Sequence, residues 1–259
     1  MTEVVRREID GAIGILEINR PERRNALSSG VIEGLISGIA ELGEDPDVNV
    51  LLIQGAGEKA FCAGGDLSDF QPSSGILDLH WARRRFADLM LAVQSARVPV
   101  IGKVQGAALG GGFGLALQCD LLVASEGATF GTPEIKLGLF PMMIMAVVTR
   151  NVGRKQAMEL MLTGKKLGAT EAAELGFVNR VVPATQLDEA AKDFANEVAG
   201  FSPAILRLGR DAFYKTQDMT FEQALDTLHN ELTINSLSED TAEGVMAFLS
   251  KRAPEWKGR

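Results

Sequence analysis

Apolar residues along this chain follow two spacings. Through the first 180 or so positions, short apolar runs alternate with stretches whose apolar residues recur three and four apart. The first spacing predicts strands and the second helices. Residues 4–9 and 13–18 read as strands joined by a turn at Asp10-Gly11. A polar, Pro-broken loop follows over 19–25. Ser28-Ser29 caps a helix carrying Val31, Leu35, Ile36, Ile39 and Leu42, which Asp45-Pro46-Asp47 stops. Strands are predicted over 48–53, 98–104, 121–124 and 177–182. Helices are predicted over 76–96, with Leu79, Phe86, Leu89, Met90 and Val93 on one face, and over 113–117, 142–150 and 154–162. A short helix over 171–175 is capped by Thr170 and ended by Gly176. Residues 55–66 read as a glycine-rich loop, 72–75 as a linker and 130–133 as a loop. After Pro183 only helices are predicted, over 187–198, 203–214, 221–235 and 241–251. The pattern predicts an α/β fold with a boundary near residue 195, separating a strand–helix core (1–195) from a helical region (196–259).

Composition sharpens the class. The 259 residues are 46% hydrophobic and 23% charged, with 28 glycines, which is globular usage. A net charge of −8 argues against a general binder of nucleic acid or anionic membrane. The N-terminal ten residues lack the apolar core of a leader peptide. The apolar run over 137–148 holds Pro141 and is far short of the ~20 residues that cross a bilayer. Two cysteines, Cys62 and Cys119, with no C-x-x-C, read as reduced thiols in a cytoplasmic protein. His80 and His229 stand alone, so no metal site is expected.

The candidate chemistry lies in residues 106–134. Gly110-Gly111-Gly112 follows a strand and precedes a helix, and Glu134 follows Pro133. The glycines do not complete a dinucleotide fingerprint, a P-loop or a nucleophile elbow. Close strand–helix packing is one explanation for them. The other comes from a second cluster, Cys62-Ala63-Gly64-Gly65-Asp66. Two loops of bare backbone can aim two N–H groups at one oxygen, each donor worth roughly 3–4 kcal/mol in a transition state.

Asn19-Arg20-Pro21, Asn25-Ala26-Leu27, the run from Ala60 through Asp66 to Leu67, Gly106-x-x-Leu109-Gly110-Gly111-Gly112, Cys119-Asp120 and Phe130-Gly131-x-Pro133-Glu134-x-x-x-Gly138 appear in order. Leu162-Thr163-Gly164, Gly176-Phe177-Val178 and Phe248-Leu249-x-Lys251-Arg252 follow. The chain thereby resembles the enoyl-CoA hydratase/isomerase (crotonase) family over nearly its whole length. The resemblance implies a spiral of ββα turns, followed by a C-terminal helical region used in trimerisation. It implies a homotrimer or a dimer of trimers, an acyl-CoA thioester as substrate, and no cofactor beyond the coenzyme A that the substrate carries.

By motif position, the resemblance assigns the two oxyanion N–H groups to Gly65 and Gly111 and a catalytic carboxylate to Glu134. Ala63, Asp66 and Gly110 fall in the substrate-binding segments. Arg23 and Arg24 occupy a position near the nucleotide end of CoA, and Lys251 matches a CoA-reaching lysine. Met142, with Met143 and Met145, reads either as acyl-pocket lining, since thioethers adapt to variable chains, or as part of a plain core helix. Family hydratases carry a second glutamate two residues after the glycine triplet, and that position here is Gly114. One base suffices to move a double bond, taking a proton from C2 and returning it at C4, so the expectation leans to enoyl-CoA isomerisation. Hydration of 2-enoyl-CoA is the alternative, and a non-catalytic CoA-thioester binder is the alternative of another class. RNA binding, known for some family members, is disfavoured by the acidic charge. An apolar pocket of Phe130, Leu139, Phe140 and Met142 is expected to raise the pKa of Glu134.

Overall fold

The structure is a computed structural model and describes residues 3–66 and 75–259. Strands β1 (Val5–Asp10) and β2 (Ile13–Ile18) form the expected antiparallel hairpin, with Gly11 at a φ of 61° in its turn. Helix α1 (Ser29–Glu44) follows, and the Ser28 hydroxyl accepts the Val31 N–H at its start.

The chain then repeats one plan three times. Strands β3 (Val50–Gly55) and β4 (Ala60–Cys62) lead to α2 (Ile76–Gln94). Strands β5 (Val100–Val104) and β6 (Ala107–Leu109) lead to α3 (Gly111–Gln118). Strands β7 (Leu121–Ser125) and β8 (Thr129–Gly131) lead through a 3-10 turn, Pro133–Leu137, to α4 (Met142–Asn151). Helix α5 (Arg154–Thr163), strand β9 (Lys166–Gly168), helix α6 (Ala169–Glu174) and strand β10 (Arg180–Val182) complete the core. The first strand of each pair enters a six-stranded sheet of order β1-β2-β3-β5-β7-β10. The second enters a four-stranded sheet of order β4-β6-β8-β9. Within these, β2-β3-β5-β7-β10 and β4-β6-β8 are parallel; the β2-to-β3 crossover passes through α1, and each later one through the companion sheet and at least one helix. This is the spiral of ββα turns.

Strand β3 shows why such runs are apolar throughout. Leu51 and Ile53 enter the larger core, while Val50 and Leu52 face helix α7 (Leu187–Ala199) with Ile13, Ile101 and Val123. Leu187, Ala191 and Ala195, four apart, form the buried stripe of α7. In the larger core, Phe113, Phe130 and Phe177 meet with ring centroids 5.4 to 6.0 Å apart. Helices α8 (Pro203–Thr216), α9 (Phe221–Ser236) and α10 (Glu239–Ser250) follow. Helix α8 is pinned by Arg210, which donates to the carbonyls of Val93, Gln94 and Ala96 at the end of α2 and to Asp120. Among the described residues, no helix is long and apolar enough to cross a membrane.

Several expectations need correction. The glycine-rich segment over 55–66 contains β4, and the first two residues of the loop expected over 130–133 belong to β8. Strands β6 and β9 were not foreseen. Three-residue strands are too short for a period-two pattern to register. Thr170 lies inside α6, whose N-cap is Gly168 with no side-chain cap. The strands expected from residues 48, 98 and 177 begin two or three residues later. Leu67 and most of the expected linker, residues 72–74, fall outside the described residues.

Candidate active site

Because β4, β6 and β8 are neighbours and parallel, their C-terminal ends lie side by side. They release residues 63–66, 110–112 and 132–134 at one edge of the small sheet, the kind of edge where parallel sheets hold ligands.

The first segment is stitched to the loop after β2. Leu27 N–H donates to Gly64 O at 2.8 Å, and Asp66 N–H donates to Leu27 O at 3.1 Å, forming a parallel bridge about Gly65. In such a bridge the central residue turns its own N–H and carbonyl to the other side, so the Gly65 amide faces away from Leu27. It lies 3.6 Å from the point where a Cβ on Gly111 would stand. Gly64 has a φ of +100°, and a Cβ there would stand 3.3 Å from the Gly111 nitrogen. The two glycine segments therefore touch through backbone alone. Arg20 holds the segment from behind, donating to Asp66 Oδ2 and to Ala26 O, each at 2.9 Å. Asn25, fully buried, accepts the Arg20 N–H and donates to the carbonyls of Ala56 and Ala60.

The second segment opens α3. Gly110 is its N-cap, at φ 53° and ψ −126°, and its N–H donates to Gly131 O at 2.9 Å. The first bond of the helical ladder is Gly114 N–H to Gly110 O. The amides of Gly111, Gly112 and Phe113 thus stand ahead of that ladder, at the positive end of the helix.

The third segment carries the carboxylate. Pro133 starts the 3-10 turn, and Gly138 closes it at a φ of 74°. Glu134 Oε1 lies 2.8 Å from the point where a Cβ on Gly110 would stand. Oε2 is buried and has no hydrogen-bond partner among the described residues. Burial raises the Glu134 pKa above the ordinary 4.5, opposed by a hydrogen bond from its own backbone N–H. A carboxylate of raised basicity thus stands over Gly110, beside the amides of Gly111 and Gly65. Such an arrangement can take a proton from carbon next to a carbonyl whose oxygen rests on the amides.

The far side of this turn is apolar. A Cβ on Gly114 would stand 2.5 Å from Ile144 Cγ2 and 3.6 Å from Phe86 Cζ. The Phe86 ring also reaches to 3.2 Å of the point for a Gly111 Cβ.

Glu134, Gly110, Gly111, Gly65 and Ala63 are brought together. Arg23 and Arg24 are exposed on the adjoining turn, and Arg24 O accepts the Ala63 N–H at 3.0 Å. Met142 is exposed at the first position of α4. Lys251 is exposed at the C-cap of α10, a helix packed on α8 and α9, and no described hydrogen bond brings it to these segments. Asp66 turns its carboxylate to Arg20. Phe130, expected beside Glu134, is wholly enclosed in the aromatic core instead, while Leu139 is exposed and Phe140 half-buried. Sequence reasoning met Arg20 and Asn25 only as motif positions and Phe86 only as part of a helix face, and gave none of them, nor Thr132 or Ile144, a place at this site. The contacts that put them there join segments remote in sequence.

The family model for enoyl-CoA hydratase/isomerase matches residues 8–259. The chain belongs to the enoyl-CoA hydratase/isomerase family. It is 37% identical over 263 residues to a probable enoyl-CoA hydratase of Mycobacterium bovis, the match covering 99% of each chain. It is 34% identical over 246 residues to the 2,3-dehydroadipyl-CoA hydratase of Escherichia coli, covering 95% of each. Among solved structures, an enoyl-CoA hydratase of Mycobacterium smegmatis superposes with a TM-score of 0.94 at 34% identity over 98% of both chains. One from Geobacillus kaustophilus gives 0.92 at 36% over the full length of both.

Proposed function

We propose that this family member acts on an enoyl-CoA thioester with one carboxylate, Glu134, and an oxyanion hole formed by the Gly65 and Gly111 amides, and that it shifts a carbon–carbon double bond. The thioester oxygen rests on the two N–H groups. Glu134 removes a proton from C2, the charge spreads into a dienolate held by the amides, and the same carboxyl returns the proton at C4. Basicity raised by burial suits Glu134 to this shuttle. The observation that carries the reading is at residue 114, where Ile144 Cγ2 fills the space a second acid would need.

Hydration of a 2-enoyl-CoA is the second reading, favoured by relatives named as hydratases. Glu134 alone would then hold and activate the water. The deciding assay compares crotonyl-CoA with 3-hexenoyl-CoA. Isomerisation of 3-hexenoyl-CoA abolished by Glu134→Gln supports the first reading. Fast crotonyl-CoA hydration that survives Glu134→Gln removes the single-base scheme, and thioester binding without turnover leaves a non-catalytic binder.

Arg23 and Arg24, held beside Ala63 by the Arg24 carbonyl, supply charge for CoA phosphates. Lys251 serves the same end only if another copy presents it. Exposed Phe221, Leu232, Leu237, Phe248 and Leu249 on and beside α9 and α10 support self-association through this region, as a trimer or a dimer of trimers. Met142 lines the acyl end. Two free, buried cysteines suit a reducing, cytoplasmic setting.

A further inference from the structure

Thr132 is fully buried, and its hydroxyl donates to the carbonyl of Leu160 at 2.8 Å. That carbonyl already accepts the Gly164 N–H at 3.0 Å, the bond that closes α5. Leu160 therefore does not need Thr132. A valine at 132 would have the same shape and would bury no hydroxyl. The tie nevertheless joins two particular places. One is the residue that precedes Pro133-Glu134. The other is the left-handed cap of α5, where Gly164 stands at φ +63°. A Cβ on Gly164 would stand 3.0 Å from Lys136 Cε and 3.1 Å from Ile135 Cγ2, so the turn bearing Glu134 is seated on this cap. On its other flank, the strand before the turn is held by Gly110 N–H to Gly131 O. Between those two anchors the carboxylate has no hydrogen bond on Oε2 to hold it.

We propose that Thr132 is a positioning residue, whose bond to the Leu160 carbonyl fixes the Pro133–Leu137 turn so that the Glu134 carboxylate stands over Gly110. Thr132 touches no substrate and acts through Glu134. The inference rests on the reading of Glu134 as the base. Its effect belongs in turnover rather than in binding, because the glycine amides and the Arg23–Arg24 loop do not depend on the tie. A displacement of about 1 Å in a reacting group costs up to about a hundredfold in rate.

The test compares Thr132→Val and Thr132→Ser with the native protein, in kcat and KM on the better of the two enoyl-CoA substrates and in thermal midpoint. A crystal structure of Thr132→Val accompanies the kinetics. The expected result for valine is a fall in kcat of about tenfold or more with KM within about twofold and an unchanged midpoint. Serine, which keeps the hydroxyl, restores kcat. Native kcat in the valine variant, equal loss in both variants, or a loss that merely tracks a lowered midpoint overturns the proposal. If the native protein turns over neither substrate, the functional reading fails, and the crystal structure decides alone. Glu134 Oε1 displaced from Gly110 upholds the positioning role, and an unmoved carboxylate overturns it.

Discussion

Ile144 and Gly114 share one space: Cγ2 of the isoleucine lies 2.5 Å from where a Cβ on residue 114 would stand, with its Cβ at 3.1 Å. Ile144 is buried and β-branched, so it has little rotamer freedom with which to withdraw. Gly114→Glu alone should therefore cost about 1–3 kcal/mol through overpacking and gain no hydratase activity. Combined with Ile144→Ala, the 2.5 Å clash is removed and only the tight Cβ contact at 3.1 Å remains. The double variant should be more stable than the summed single losses imply, by more than about 0.5 kcal/mol, and should hydrate crotonyl-CoA faster than Gly114→Glu does. Chemical denaturation and the hydration assay read both. A Gly114→Glu protein of native stability would show that this space is open after all.

That filled space was invisible in the sequence, although Gly114 itself was singled out there. Helices and long strands were legible because their apolar residues keep one period over many positions, as Val31, Leu35, Ile39 and Leu42 do in α1. The glycine clusters and Glu134 were legible as motifs. What aligns them was not. The small sheet is built from strands of three residues, too short to show a period, and its register pairs Leu109 with Gly131 and Ala108 with Cys62. The polar scaffold was hidden for a different reason. Asn25 lies 31 and 35 residues from the carbonyls it binds, and Arg20 lies 46 from Asp66. Such pairs are set by the spiral's return to the same edge. Phe130 misled for the converse reason: β8 ends at Gly131 and Glu134 lies on the 3-10 turn beyond it, so nearness in sequence does not put the two side chains on one face.

Gly110 is the position where conformation and contact restrict the side chain together. Its φ of +53° at ψ −126° disfavours any L residue, and a Cβ would meet Glu134 Oε1 at 2.8 Å. Gly110→Ala should lose about 1–3 kcal/mol to backbone strain and displace the carboxylate. Turnover should then fall at least about tenfold while acyl-CoA affinity changes little. Calorimetric binding of a saturated acyl-CoA beside the kinetics separates the two. Loss of binding equal to the loss of turnover would place the damage in the amides and not at Glu134.

The Arg20–Asp66 pair predicts an indirect effect on the other half of the site. Both side chains are largely enclosed, 17% and 8% exposed, and Asp66 follows the Gly65 amide directly. Asp66→Asn keeps the shape but removes the charge opposite Arg20. It should cost about 1–3 kcal/mol, below the ~3–5 kcal/mol of a fully buried pair because Arg20 keeps its bond to Ala26 O. Arg20→Lys should be nearly as damaging, since an ammonium cannot serve Asp66 and Ala26 in the same fork. Urea midpoints measure the stability loss, and a fall in kcat for both variants would tie it to Gly65. An Arg20→Lys protein with native kcat would confine the pair to folding.

Glu134 gives the pH dependence, with opposite signs for activity and stability. Burial raises its pKa above 4.5, and the base acts as the carboxylate, so activity should fall as pH drops through the raised value. For stability, the folded state binds this proton more tightly than the unfolded state. Between the ordinary carboxylate value and the raised one, the folded protein holds more protons, so stability falls as pH rises across that window. Above it, the folded state carries a half-buried charge whose enclosed Oε2 lacks a described partner. Glu134→Gln removes that charge while keeping the side chain's size. The variant should therefore melt higher than the native protein at neutral pH, with the difference shrinking as pH falls through the window and vanishing below about pH 4. Thermal midpoints of both proteins across pH measure it. A native protein that is the more stable of the two at neutral pH would mean that the carboxylate is stabilised as an anion, and a base held that way would be too weak for the proton transfer proposed.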